Sequence, residues 1–425
     1  MTAKEEVIEL KNGVRILYVP IKGNPAVTVM TLVNVGSEFE RKNESGLSHF
    51  LEHMIFKGTE KRPRAMDISL ELDSIGAGYN AFTSHEYTGY YIKAAKRHFE
   101  KVTEVLADMT LNPALREEDI NMERGVILEE INMYRDTPQD KVYDNFVSLI
   151  YGDQPAGRDI LGNKDTIKNF SRRDFVSFVD RYYKANNTVI VVAGDIKKEK
   201  VVDTISALFK GLEKGKEAKK PKVHFKQKEP RLHLERKKTD QTHLILGSET
   251  VSLDHKDASP LHLFDTILGG GMSSRVSQKL REEMGVAYYA GSGLHLGSDH
   301  GIGAIFAGVT RSRAKEVVSI LTEELRKLRE EVVSEEELNK AKEYILGRLL
   351  LGLETSDSLA RFYGLREVLK KERKSIEEIK KEINAVSAED VRRVAKKYFS
   401  PERLNLAIIG NHSTENSFNK ILLEK

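Results

Sequence analysis

The chain has 425 residues, more than one hydrophobic core usually serves, which predicts two or three domains. Its 31% charged residues and net charge of +3 indicate a folded globular protein, with no sign of a nucleic-acid or membrane partner. The absence of cysteine excludes disulfides and thiolate metal sites, and no apolar run is long enough to span a membrane. With no secretory signal at residues 1–10, we expect a cytoplasmic protein.

In chain order, the predicted elements begin with a hairpin, because two strand-like runs flank Asn12-Gly13, a dipeptide that tolerates a tight turn. Strands and helices then follow without strict alternation, which favours the α+β class with mostly antiparallel sheets packed against helices. The predicted strands are 7–10, 14–19, 27–35, 87–94 and 188–193, and the predicted helices are 46–57, 97–112, 116–135 and 172–183.

The sequence contains an internal duplication around a linker. Residues 171–194 have a counterpart at 387–410, and residues 118–128 have one at 336–346, in the same order and at nearly the same spacing. A chance likeness between two helix–strand units would not preserve order and spacing. The lysine- and glycine-rich segment at 211–222 lies between the copies, so we predict homologous domains at 1–212 and 223–425 joined by a linker at 213–222.

A metal site is predicted on the helix 46–57. His49 and His53 are four residues apart, so both imidazoles lie on one helix face and reach one zinc ion. Glu52 shares that face, where a carboxylate can take a proton from a metal-activated water. This order, H-x-x-E-H, is known among zinc peptidases. The alternative is an amphipathic helix whose histidines are ordinary surface residues.

A third ligand is predicted on the helix 116–135. Glu123 and Glu130 fall within a stripe of isoleucines, where carboxylates are costly unless a cation satisfies them. Glu129 would face outward. The alternative partner for either glutamate is a lysine or an arginine rather than a metal.

The duplication provides an internal control. The positions equivalent to His49, Glu52, His53, Glu123 and Glu130 have all lost these residue types together in the second half. We therefore expect one metal ion in the first domain and none in the second. The equivalent residues are Leu261, Phe264, Asp265, Ala341 and Arg348.

The motif around His49, followed by Glu130 after the family's characteristic spacing, resembles the pitrilysin family, which includes insulin-degrading enzyme and mitochondrial processing peptidase. The resemblance covers essentially the whole chain and is strongest to the short bacterial and processing-peptidase branch. It implies that His49, His53 and Glu130 ligate one Zn²⁺ per chain. Glu52 would be the general base, and Glu123 would be an acidic residue that supports the metal ligands without itself binding the metal.

The same resemblance implies residues that bind substrate. Asn80, Ala81 and Phe82 match an edge strand on which an unfolded peptide docks by β-augmentation. Arg281 and Tyr288 match a pair that contacts the substrate from the facing domain, although on spacing alone they are ordinary surface residues.

The resemblance further implies half of a clamshell that pairs with a second copy as a homodimer, and the alternative is a heterodimer with an inactive partner. The expected function is zinc-dependent endoproteolysis of unfolded peptides or presequences inside an enclosed chamber. Two alternatives stay open: a non-catalytic family member that acts as a scaffold or partner subunit, and a zinc hydrolase acting on another class of substrate.

Overall fold

The computed structural model describes residues 4–371 and 373–423, which form two mixed β-sheets covered by helices. The strands are β1 (Glu6–Glu9), β2 (Arg15–Pro20), β3 (Ala26–Val33), β4 (Gly78–Thr83), β5 (Thr88–Ala95), β6 (Thr188–Gly194), β7 (Arg231–Arg236), β8 (Gln241–Glu249), β9 (Ala287–Leu296), β10 (Gly301–Thr310) and β11 (Asn405–Gly410).

The helices of the first half are α1 (Leu47–Ile55), α2 (Ala65–Asp73), α3 (Phe99–Leu111), α4 (Glu117–Asp136), α5 (Pro138–Tyr151), α6 (Lys164–Asn169), α7 (Arg172–Tyr182) and α8 (Lys198–Leu208). Those of the second half are α9 (Ala258–Leu268), α10 (Arg275–Ser277), α11 (Ala314–Glu330), α12 (Glu335–Leu351), α13 (Ser356–Val368), α14 (Ile376–Ala385), α15 (Ala388–Tyr398) and α16 (Asn416–Leu423). The predicted elements are present, with ends that differ by two residues or fewer.

The two sheets share the same order of five strands, and the first sheet has β1 as an additional edge strand. The first has the order β1-β2-β6-β3-β5-β4, and the second has the order β7-β11-β8-β10-β9. In each sheet one neighbouring pair is parallel, β2 with β6 and β7 with β11, and the remaining pairs are antiparallel. Strand β4 and its counterpart β9 are edge strands. The predicted α+β fold with two homologous domains is thereby confirmed.

A pair of equivalent helices is exchanged between the halves. Helix α13, from the second half of the sequence, packs on β2, β3 and β6, while α5, from the first half, packs on β8 and β11. Close contact requires a glycine in α13, since a Cβ on Gly364 would come within 2.7 Å of Leu32 and 2.9 Å of Val191. Each compact unit therefore contains one sheet and a helix from the other half of the sequence.

The predicted linker contains no helix or strand, and neither does the segment that follows it as far as β7. The boundaries 1–212 and 223–425 separate the sequence repeats. The compact units cross these boundaries, since Asn132–Arg158 belongs to the unit of the second sheet.

Candidate metal centre and active site

Helix α1 is fixed in place by its apolar face and by an acid at its beginning. Phe50, Leu51 and Met54 are fully buried in the core of the first sheet. At the first turn, the carboxyl group of the buried Glu40 accepts the backbone N–H of Gly46 over 2.8 Å and that of Ser48 over 2.7 Å. An acidic group there satisfies backbone donors that a helix leaves unpaired. The polar face of α1 is thus held in a defined orientation.

The polar face of α1 and helix α4 bring three potential metal ligands together. One donor atom from each of His49, His53 and Glu130 lies within 4.8 Å of the other two. Oε1 of Glu130 is 3.8 Å from Nε2 of His49, and its Oε2 is 3.6 Å from Nε2 of His53. These distances exceed a hydrogen bond. Glu129, the neighbour of Glu130, is exposed on the outer face of α4.

Glu52 lies on the same helix face and has a partner from the edge strand. The hydroxyl of Thr83, at the end of β4, donates to Oε2 of Glu52 over 2.6 Å. Burial raises the pKa of Glu52, and the bond from Thr83 partly offsets this rise. The result is a carboxylate of increased basicity held in one orientation, as a general base requires.

Glu123 pairs with the ring nitrogen of His53 that is not the potential metal ligand. Nδ1 of His53 is 2.8 Å from Oε1 of Glu123, and the second oxygen of this carboxylate pairs with Lys57. Glu123 is only 4% exposed. Burial acts to raise its pKa, but the bonds from His53 and Lys57 outweigh burial and lower the pKa. A carboxylate at one ring nitrogen fixes the histidine tautomer and leaves Nε2 as the potential ligand atom.

The pKa shifts differ among the three potential ligands, and the shift of His49 is the one that favours metal binding. Burial, followed by the charge of His53, lowers the pKa of His49 to about 3, so its imidazole is neutral at physiological pH and able to bind a metal. Burial also raises the pKa of Glu130. For His53, burial opposes protonation, but the bond with Glu123 and the charges of Glu130, Glu123 and Glu52 prevail and raise its pKa.

The residues present fit a zinc ion. Two imidazoles and one carboxylate match the ligand set of catalytic zinc sites, and tetrahedral bonds of that kind place ligand atoms about 3.4 Å apart. The observed separations of 3.6 and 3.8 Å are close to this value. Nδ1 of His49 is buried and has no hydrogen-bond partner in the described part of the chain.

Comparisons with known proteins match both halves of the chain. Residues 15–164 match the model described as "Insulinase (Peptidase family M16)", and residues 169–345 match "Peptidase M16 inactive domain". A relative named an uncharacterized zinc protease from Rickettsia felis is 35% identical, covering 95% of this chain and 97% of its own. Another of that description from Bacillus subtilis is 36% identical, covering 94% and 96%. The chain belongs to peptidase family M16.

Two solved structures share this architecture. The crystal structure of a protease from Helicobacter pylori has a TM-score of 0.89 and 26% identity, covering 96% of this chain and 100% of that one. A structure from Pseudomonas fluorescens, titled an M16 inactive domain, also has a TM-score of 0.89 but 17% identity, so it supports the fold alone. The predicted pitrilysin-type family is confirmed, and the chain's relatives are named zinc proteases.

The second half of this M16 protein lacks the site residues at the equivalent positions. Leu261, Phe264 and Asp265 are on α9, the counterpart of α1, and the first two are buried in the core. Ala341 and Arg348 are on α12, the counterpart of α4. Apolar packing at Leu261 and Phe264 replaces the polar face that α1 presents.

The three residues predicted to bind substrate in the first half lie on the edge strand β4. Asn80 is exposed, and its Oδ1 accepts the backbone N–H of Ala81 over 2.8 Å. Phe82 is packed into the fold, with Arg361 4.7 Å above its ring and Tyr87 edge-on at 6.1 Å. Its ring also covers Gly89. Phe82 therefore contributes to the packing that holds the edge strand β4 in place.

Arg281 and Tyr288 lie in irregular backbone of the second half. Arg281 belongs to a π-helix, Gln278–Glu283, and Tyr288 follows the beginning of β9. Ala287 is opposite Val309 and Tyr289 is opposite Gly308, so Tyr288 is the extra residue of a β-bulge. Bulges redirect side chains, and Tyr288 is 63% exposed.

Sequence reasoning missed the supporting residues of the site. Lys57 follows His53 by four residues, and this helical spacing was a usable signal that the partner of Glu123 lay close by. Thr83 alternates with Ala81 along β4, which placed it on the same strand face. Glu40 gave no local signal, because its bonds to Gly46 and Ser48 depend on the path of the intervening loop.

No helix in residues 4–371 and 373–423 has the length and apolar character needed to cross a membrane.

Proposed function

We propose that this M16 protein is a zinc-dependent endopeptidase that hydrolyses unfolded peptides. The observation that carries the proposal is the meeting of α1 and α4. Glu130 comes within 4 Å of both imidazoles, while Glu52 lies beside them with its own support from Thr83. A non-catalytic scaffold would have no need of an intact ligand set together with a positioned general base.

The mechanism assigns each residue a defined task. His49, His53 and Glu130 would hold the zinc, which when bound supplies a Lewis acid that polarises the scissile carbonyl and activates water. Glu52 takes the proton from the attacking water and passes it to the leaving amine. Thr83 holds the Glu52 carboxylate in one orientation. Glu123 accepts a hydrogen bond from Nδ1 of His53 and so fixes the neutral tautomer whose Nε2 can bind the metal.

The edge strand β4 supports a preference for unfolded substrates. An extended peptide can add to a sheet edge through backbone hydrogen bonds, which a folded protein cannot offer. The N–H of Ala81 is at present bonded to the side chain of Asn80. The carbonyl of an incoming peptide would take the place of the Asn80 side chain as the acceptor for this N–H. Without substrate, Asn80 keeps this backbone donor of the edge strand hydrogen-bonded.

We further propose that the enzyme works as a homodimer. Arg281, on the π-helix, and Tyr288, at the bulge of β9, are both exposed. Both side chains are therefore accessible to a substrate bound to another copy. In a two-fold dimer, each copy would provide this pair to the metal centre of the other.

The test is cleavage of an internally quenched fluorogenic peptide by the zinc-loaded protein, with and without a chelator, compared with Glu52→Gln. We expect hydrolysis that the chelator abolishes, and a loss of about 10²–10⁴ in rate for the variant with its zinc content unchanged. Chelator-sensitive cleavage of a non-peptide ester without peptide cleavage would favour a hydrolase of another class. Wild-type rates in Glu52→Gln would refute the mechanism.

A further inference from the structure

A polar cavity lies in the second half, at the beginnings of α11 and α16. Its volume is about 560 Å³, within the range of small-molecule sites. The side chains that line it include Arg311, Lys315, His412, Ser413, Thr414 and Ser417. No lining residue is acidic.

The positive charge of the cavity is uncompensated within the described structure. Neither Arg311 nor Lys315 forms an ion pair with any residue in 4–371 or 373–423. This contrasts with the adjacent Arg313, which pairs with Glu316. The nearby Glu415 is not among the lining residues, and its Oε1 is 3.3 Å from the backbone N of Leu234. Both side chains are exposed. Cations without acidic partners create a potential that attracts anions.

His412 lies close to both cations. Burial lowers the pKa of His412, and the charges of Arg311 and Lys315 lower it further. The ring is held by Thr242, whose Oγ1 is 2.8 Å from Nε2 of His412. The imidazole therefore has a fixed position beside both cations.

Hydroxyl donors complete the cavity. Oγ of Ser417 is shielded from water and has no hydrogen-bond partner in the described part of the chain. A buried hydroxyl of that kind costs free energy unless another group binds it. Ser413 and Thr414 are separated from α16 by Glu415, and Arg311 lies three residues before Ala314, the first residue of α11. The lining is therefore close to two helix beginnings, where partial positive charge accumulates.

We propose that this cavity binds the phosphoryl group of a small phosphorylated molecule. Arg311 and Lys315 supply charge, Ser413, Thr414 and Ser417 supply hydroxyl donors, and the cavity has room for a ligand larger than one phosphate. The planar guanidinium of Arg311 suits two oxygens of a tetrahedral anion. This site is separate in sequence from the metal ligands and does not depend on the proposed peptidase activity.

The test is isothermal titration calorimetry of the zinc-loaded protein with inorganic phosphate, pyrophosphate and acetate, in chloride buffers of equal ionic strength. We expect saturable binding of phosphate and tighter binding of pyrophosphate. Lys315→Gln and Arg311→Gln should each weaken binding about tenfold or more. Lys396→Gln removes the same charge from an exposed position of α15 outside the cavity and should leave binding unchanged.

If phosphate binds at the metal centre instead, its binding would be lost in His49→Ala and kept in Lys315→Gln. That result would overturn the proposal. Equal effects of Lys315→Gln and Lys396→Gln would show that net charge alone is responsible. Acetate that binds as tightly as phosphate would overturn the assignment to a phosphoryl group.

Discussion

Thr83 donates its hydroxyl hydrogen to Oε2 of Glu52 over 2.6 Å. This bond joins the end of the edge strand β4 to the helix that carries both histidines. The strand proposed to receive the peptide and the proposed general base are therefore joined by a direct hydrogen bond. A peptide that shifts β4 when it docks would also shift the orientation of Glu52.

Thr83→Val is expected to lower kcat about tenfold and to leave zinc content unchanged, because the variant removes the donor to Glu52 but no ligand. Thr83→Ser keeps a hydroxyl at the same position and should restore most of the activity. The measurement is steady-state hydrolysis of the fluorogenic peptide, with metal content determined on the same samples. Equal activity in the valine and serine variants would show that the hydrogen bond has no part in catalysis.

His49→Ala, His53→Ala and Glu130→Gln should each reduce zinc per chain, because three protein ligands leave none to spare. Glu129→Gln is the matched control, since Glu129 is a neighbouring glutamate on the exposed face of α4. Metal analysis after dialysis against a weak chelator compares the four variants. Zinc loss in Glu129→Gln alongside retention in Glu130→Gln would contradict the ligand set.

Glu40→Gln should change how stability depends on pH. Burial raises the pKa of Glu40 to about 8 from an ordinary 4.5, so between these values the folded protein holds a proton that the unfolded chain releases. The wild type therefore loses stability as pH rises through this window. Glu40→Gln loses a hydrogen bond to the first turn of α1 at every pH. Its side chain has no proton to release in this pH range.

The free energy of unfolding of wild type and Glu40→Gln, measured in urea from pH 5 to 8, gives the comparison. Other titrating groups are common to both proteins and cancel in the difference. We expect the variant to gain stability relative to the wild type as pH rises. A difference that is constant with pH would mean that the Glu40 pKa is not raised.

Mixing Glu52→Gln chains with Tyr288→Phe chains tests the shared site. Each variant alone should be nearly inactive, but a mixed dimer regains one site with an intact Glu52 from one copy and an intact Tyr288 from the other. Random exchange should restore up to roughly a quarter of wild-type activity, since about half of the dimers are mixed and each has one good site. Absence of recovery, with exchange demonstrated by mass spectrometry, would place both residues of a site in one chain.

The secondary structure was predictable because the patterns that form it are local. The apolar periodicity of α4 placed Glu123 and Glu130 on one face, and the structure shows Glu123 buried and Glu130 partly buried there. The duplication was predictable for the same reason, since the matched segments are α7 with β6 and α15 with β11.

The contacts around the metal centre were less predictable because they join distant segments. The bond between Thr83 and Glu52 spans 31 positions of sequence, and Glu123 and His53 are 70 positions apart. The bulge at Tyr288 depends on the register between β9 and β10, which side-chain pattern alone does not specify. Residue types therefore predicted the metal ligands, whereas the residues that orient those ligands could be identified only from the folded structure.

The exchange of α5 and α13 has a consequence for synthesis on the ribosome. One face of the first sheet stays uncovered until residues 356–368 have left the exit tunnel, because α13 packs on Leu32 and Val191 of that sheet. Val189 and Leu17, fully buried against α13, would face water in the nascent chain. Translation must therefore pass residue 368 before the metal-binding half can close its own core, and a fragment that stops at the linker would expose an apolar sheet face.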